Sequence, residues 1–110
     1  MTRSTTVLIL FCAAALEAGG DAIVRLALHS SAIWARVLLF VLGAAVLFAY
    51  GCTVNSPPWE FGRLLGVYVV FFFVIAQIIS WLFFHQAPSK AVIAGGLMIV
   101  GGGVVMSVFR

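Results

Sequence analysis

Three charged residues recur at intervals of four in the first apolar stretch of the chain: Glu17, Asp21 and Arg25. On an α-helix that spacing puts all three on one face. The stretch around them runs from about Val7 to Leu28 and is otherwise uninterrupted, which is long enough for a helix to cross a bilayer. Glu17 then lies mid-span, where an ionised carboxylate costs at least about 2.5 to 3.5 kcal/mol, so it must face protein or a water-filled cavity. A carboxylate withdrawn from water beside a second carboxylate binds its proton more tightly. Such a group exchanges a proton for a cation, the least machinery a coupled exporter needs. Asp21 and Arg25 admit two readings. They cancel each other as an ion pair, with Arg25 reaching the interface, or Asp21 joins Glu17 in binding proton and substrate.

The elements that must position these groups follow from hydropathy. Hydrophobic residues make up 65% of the 110-residue chain and charged residues 8%, with a mean hydropathy of +1.25. Composition of that kind belongs to lipid-embedded protein rather than to a water-soluble domain. Four spans of about 20 apolar residues account for nearly all of the chain, and a single four-helix transmembrane domain over residues 1–110 is expected. Helix 1 is predicted over about 7–28, helix 2 over about 33–54, helix 3 over about 64–84 and helix 4 over about 91–109. His29-Ser30-Ser31 breaks the first pair. Two prolines in Asn55-Ser56-Pro57-Pro58-Trp59-Glu60 end the second span, since proline and the residue before it resist continuation of a helix. His85-Gln86-Ala87-Pro88-Ser89-Lys90 makes the third turn. Connections this short force neighbouring helices antiparallel, giving an all-α up-down bundle. Arg3 followed by the apolar run from Val7 to Leu16 has the outline of a signal peptide, but the rest of the chain is no soluble mature domain, so the run is read as a permanent span.

The basic residues fall evenly. Arg3, Arg63 and Arg110 lie on one side of such a bundle, and Arg25, Arg36 and Lys90 on the other. Insertion direction follows the side richer in Lys and Arg, and this chain offers no such bias. Dual topology is the expectation, against a weak bias resolved by a neighbouring protein or lipid. Basic residues scattered singly make no nucleic-acid surface. Cys12 and Cys52 have no partner at ligand spacing, so they are expected to be small packing residues with no metal or redox role. His29 and His85 lie in turns, where solvation is their simplest state.

Among the uncharged residues, Gly95 and Gly102 are seven apart on helix 4, and Gly103 with Ser107 forms a small-xxx-small pair. Such faces permit close backbone approach. Four short helices enclose little cavity, so a transport path needs a second copy, and helix 4 is expected to be the self-association face, against packing within one chain. Phe71, Phe72 and Phe73 are expected to supply bulk to lipid or core. Tyr68, in an uncharged span, either lines a cavity or sits in the core.

The run Ala15-Leu16-Glu17-Ala18-Gly19-Gly20, the run Ser80-Trp81-Leu82-Phe83-Phe84-His85-Gln86, and Gly95 with Gly102 together resemble the small multidrug resistance transporters. The resemblance covers essentially the whole chain. It implies an antiparallel homodimer in a bacterial or archaeal plasma membrane, exporting small organic cations by alternating access with protons as coupling ion and no other cofactor. By that resemblance Glu17 is the shared proton and substrate site, Gly95 and Gly102 form the dimer contact, and Tyr68 stands where typical drug exporters carry a Trp. Asp21, Arg25 and the Asn55-Ser56-Pro57-Pro58 turn are additions to the family pattern. Gly66-Val67-Tyr68-Val69 is similar to the YnfA-like branch of the superfamily, which makes a divergent branch the preferred placement. No enzymatic chemistry is expected. The alternatives are a non-transporting membrane scaffold in which the charged stripe only pairs helices, and a transporter of a zwitterionic or anionic solute admitted by Arg25.

Overall fold

A computed structural model describes residues 2–109, so Arg110 lies outside the described residues. It contains four helices in chain order: α1 (Arg3–Leu28), α2 (Ile33–Val54), α3 (Phe61–Phe84) and α4 (Lys90–Val108). All four are long and apolar enough to cross a membrane, and the fold is the all-α four-span bundle that hydropathy predicts. The ends of α1 and α3 differ from expectation for a physical reason. Hydropathy marks the part of a helix that sits in hydrocarbon, whereas the backbone stays helical until its donors find a cap. α1 therefore runs back to Arg3 and is capped by Thr2, whose hydroxyl accepts from the Thr5 N–H at 3.1 Å. α3 starts at Phe61, directly after Glu60. α4 opens on Ser89, which accepts from the Val92 N–H at 3.2 Å. At the end of α3, His85 adopts φ 56°, and the following Gln86 N–H returns to the Ser80 carbonyl at 3.0 Å.

α1 is the hub. It packs closely against α2 and also against α3, while α4 packs chiefly on α3. Glycines set the closest approach. A Cβ added to Gly20 would stand 2.7 Å from Leu47 Cδ2, and one added to Gly43 would stand 2.8 Å from Val24 Cγ2, so α1 and α2 cross where each lacks a side chain. The α3–α4 seam works by notches: Phe73 fills the space over Gly96, Val70 that over Gly103, and Met106 that over Gly66. Gly103, expected with Ser107 on a self-association face, is thus used inside the chain. Gly95 and Gly102 have nothing within 4 Å of an added Cβ.

The buried centre lies between α1 and α3 and is made of Leu10, Ala13, Ala14, Val54, Leu64, Val67 and Tyr68. Phe71 and Phe72 pack against it. The outer surface is apolar, with Trp34 72%, Phe48 70% and Met98 78% exposed, as suits a lipid solvent. Cys12 and Cys52 are both exposed, which corrects their expected role in packing: each points away from the bundle. At the opposite end from Phe84, Arg63 donates to the Met106 and Ser107 carbonyls at 2.9 and 3.1 Å and lies over the Trp59 ring. A cation there satisfies carbonyls that the last turn of α4 leaves without helical partners.

Candidate functional site

The site is built on α1, where the small residues Ala13, Ala14 and Ala18 are buried and let α3 come close. Tyr68 enters from α3 and is 4% exposed. Its hydroxyl donates to Glu17 Oε1 at 2.6 Å and lies 3.5 Å from the Ala13 carbonyl. A short bond from a phenol to a carboxylate is the charge-assisted kind, stronger than a neutral pair. Tyr68 therefore does both things the sequence left open: it sits in the core and presents its one polar atom to Glu17. Glu17 itself is only half-buried, so one oxygen is held by the protein while the carboxylate still meets space outside it.

Tyr50 of α2 completes the surroundings. Its ring centroid lies 5.6 Å from that of Tyr68, and that of Phe72 lies 6.2 Å from Tyr68. Two further aromatic rings thus pack on the phenol that holds the carboxylate, the class of surface that attracts an organic cation. Sequence reasoning singled out Tyr68 and passed over Tyr50. The available signal was a phenol in a span whose other polar side chains, Arg36 and Thr53, lie near its ends, but nothing local to α2 says that its ring meets α3.

Asp21 and Arg25 extend the same face of α1 toward the far membrane surface. The expected ion pair between them is absent among the described residues. Arg25 instead lays its guanidinium over the Phe84 ring, 5.3 Å from the centroid, trading a carboxylate for an aromatic face offered by the end of α3. Asp21 is exposed and shares a groove with Arg25 between α1 and α3. The last turn of α1 is finished by His29, whose Nδ1 pairs with the Arg25 carbonyl at 2.8 Å. His29 is exposed, as a turn residue should be, yet it also has this backbone role. Glu17, Tyr68 and Asp21 are accordingly gathered on one seam, while Gly95 and Gly102 lie away from it on α4.

No family model and no solved structure matches the chain. It is 33% identical over 69 residues to a UPF0060 membrane protein of Herpetosiphon aurantiacus, a match covering 60% of this chain. The chain spans 63% of the length of that relative. The apolar helices and this likeness agree. The chain is a multi-pass integral membrane protein. What such a protein does with a carboxylate in mid-span is a separate matter.

Proposed function

We propose that this membrane protein is a proton-coupled exporter of small organic cations, a divergent, YnfA-like member of the small multidrug resistance superfamily that works as an antiparallel homodimer by alternating access. The observation that carries the reading is the Tyr68–Glu17 hydrogen bond in the α1–α3 seam. A carboxylate placed in a span is costly and persists where it is used. Here it is held by a phenol that itself packs among aromatic rings, and it is still reachable from outside the chain. Protonation removes its charge; deprotonation creates a site in mid-span that attracts a cation. Proton and cation then compete for a single group, which is what couples their opposite movements. Protons are the only coupling ion in this scheme, and no bond in the substrate is made or broken. The unfilled row of Gly95 and Gly102 on α4 supports a second copy, since close helix approach in lipid needs small residues.

A second reading has its own observation. Because Tyr68 already satisfies one oxygen of Glu17 within the chain, the pair would serve equally as a polar clasp between α1 and α3 in a membrane scaffold that transports nothing. Proton release separates the two. Guanidinium, quaternary ammonium compounds and polyamines are added to detergent-solubilised protein in weak buffer while pH is followed. An exporter releases protons with at least one of these cations, and the Glu17→Gln variant releases none. A scaffold gives no release with any of them.

A further inference from the structure

One helical turn beyond the Tyr68 clasp, α1 and α3 part to leave a groove of about 250 Å³. Its polar lining is Asp21 and Arg25 from α1, Ser80 from α3 and Gln86 from the following turn, and its apolar wall includes Phe72 and Phe84. We propose that this groove binds small zwitterions, solutes in which a cationic head and a carboxylate stand a few bonds apart.

Asp21 and Arg25 are four residues apart, a rise of about 6 Å along the helix, and still do not pair. Arg25 is drawn across to Phe84, and none of the described residues accepts a hydrogen bond from its guanidinium. Asp21 likewise receives none from them. Ser80 donates its hydroxyl to Gln86, with the backbone oxygen at 3.2 Å and Oε1 at 3.4 Å, so the amide nitrogen of Gln86 is left to donate elsewhere. The groove thus holds one acceptor of negative charge and, a turn away, a guanidinium and an amide N–H with unused donors.

Opposite charges left apart each lack the partner that would offset them. A plain cation would offset Asp21 and add repulsion from Arg25, and a plain anion would do the reverse. A zwitterion offsets both and brings no net charge. The volume falls below the range of about 300 to 1,000 Å³ usual for drug-sized ligands, which sets the solute at a few heavy atoms. Its cationic head at Asp21 would stand one turn from Glu17. That the bound zwitterion is a transport substrate rests on the exporter reading, whereas its binding does not.

Glycine betaine and choline make the test, because they share a trimethylammonium head and differ in carrying a carboxylate or an alcohol. Each is titrated calorimetrically into the purified full-length protein in a non-ionic detergent. Betaine should bind more tightly by about tenfold, the scale of one charge-assisted hydrogen bond. Arg25→Gln should erase the preference, Arg25→Lys should keep part of it, and Asp21→Asn should weaken both ligands. Equal affinities for the wild-type protein, or a preference that survives Arg25→Gln, would overturn the proposal.

The headgroup of phosphatidylethanolamine carries the same pair of charges, so the titration is repeated in nanodiscs of that lipid and of phosphatidylglycerol. Betaine binding suppressed only in the former assigns the zwitterion site to lipid, and equal binding in both assigns it to a free solute. Proton release with the guanidinium, quaternary ammonium and polyamine probes is followed in parallel. Its absence with all of them alongside an intact betaine preference would sink the exporter reading and leave the groove standing, and release with any of them alongside a lost preference would sink the groove alone.

Discussion

α1 and α4 each carry residues of like chemistry, some engaged inside the chain and others left bare. On α1, Glu17 is held by Tyr68 while Asp21, one turn on, faces an open groove. On α4, Gly96 and Gly103 are filled by Phe73 and Val70, whereas Gly95 and Gly102, each one residue earlier, meet nothing. The chemical group is the same within each comparison, carboxylate with carboxylate and glycine with glycine, and what the neighbouring helix presents differs. The engaged members build the protomer. The bare members have no partner among the described residues, which makes them the places to seek what the protomer binds.

The sharpest way to break this division on α1 is to remove one carboxylate at a time. Glu17→Gln keeps the size and removes the titration, so cation-induced proton release and proton-driven uptake in vesicles should vanish, while Asp21→Asn should retain release. If Asp21→Asn is the variant that goes silent, the engaged and bare carboxylates have the opposite roles.

On α4 the comparison is tested by overfilling. Gly96→Leu must push Phe73 aside, and overpacking of this kind costs about 1 to 3 kcal/mol, visible as a lower unfolding temperature in detergent. Gly102→Leu meets open space within the chain, so thermal stability should hold to about 0.5 kcal/mol while cross-linking of two copies falls. Unchanged cross-linking would move the dimer contact off that row.

A smaller effect is expected from Tyr68→Phe, which deletes the hydroxyl and keeps the ring stack. Losing one charge-assisted donor to Glu17 is worth about 1.5 kcal/mol, so cation affinity should weaken about tenfold with proton coupling preserved. No change in affinity would mean that the bond serves packing alone, as in a scaffold. The smallest effect concerns population rather than chemistry. C-terminal reporters active on opposite sides of the membrane should both give signal, and one or two added Lys beside Arg3 should shift the ratio.

The spans, the turns and the prominence of Glu17 were legible because each depends on local sequence: apolar length, proline placement and a charge where lipid should be. The groups that decide the site's geometry were legible only in part, because they depend on how one helix is rotated against another. Tyr68 was visible as a candidate, but the meeting of its hydroxyl with Glu17, 51 positions away, is a property of the α1–α3 crossing. The ion pair expected from the spacing of Asp21 and Arg25 lost to Phe84, a residue that no pattern on α1 reveals. Which of two adjacent glycines is notched was equally hidden, since a helix turns about 100° per residue and only the position of α3 selects between them.

The even division of basic residues has an electrical consequence. Arg63 is bound to the end of α4 at one surface, and Arg25 lies at the end of α1 near the other. In a bundle that inserts both ways, Glu60 would offset the first side by one charge and Asp21 the second by one, so the balance between surfaces would be kept. A membrane voltage is worth about 2.3 kcal/mol per elementary charge per 100 mV, but inverting such a molecule would exchange like for like and give the field nothing to act on. Voltage would then be felt only by the cargo. Swapping one proton for a monovalent cation moves no net charge, whereas swapping it for a zwitterion moves one charge per cycle, and a current measurement on reconstituted membranes would tell the two kinds of exchange apart.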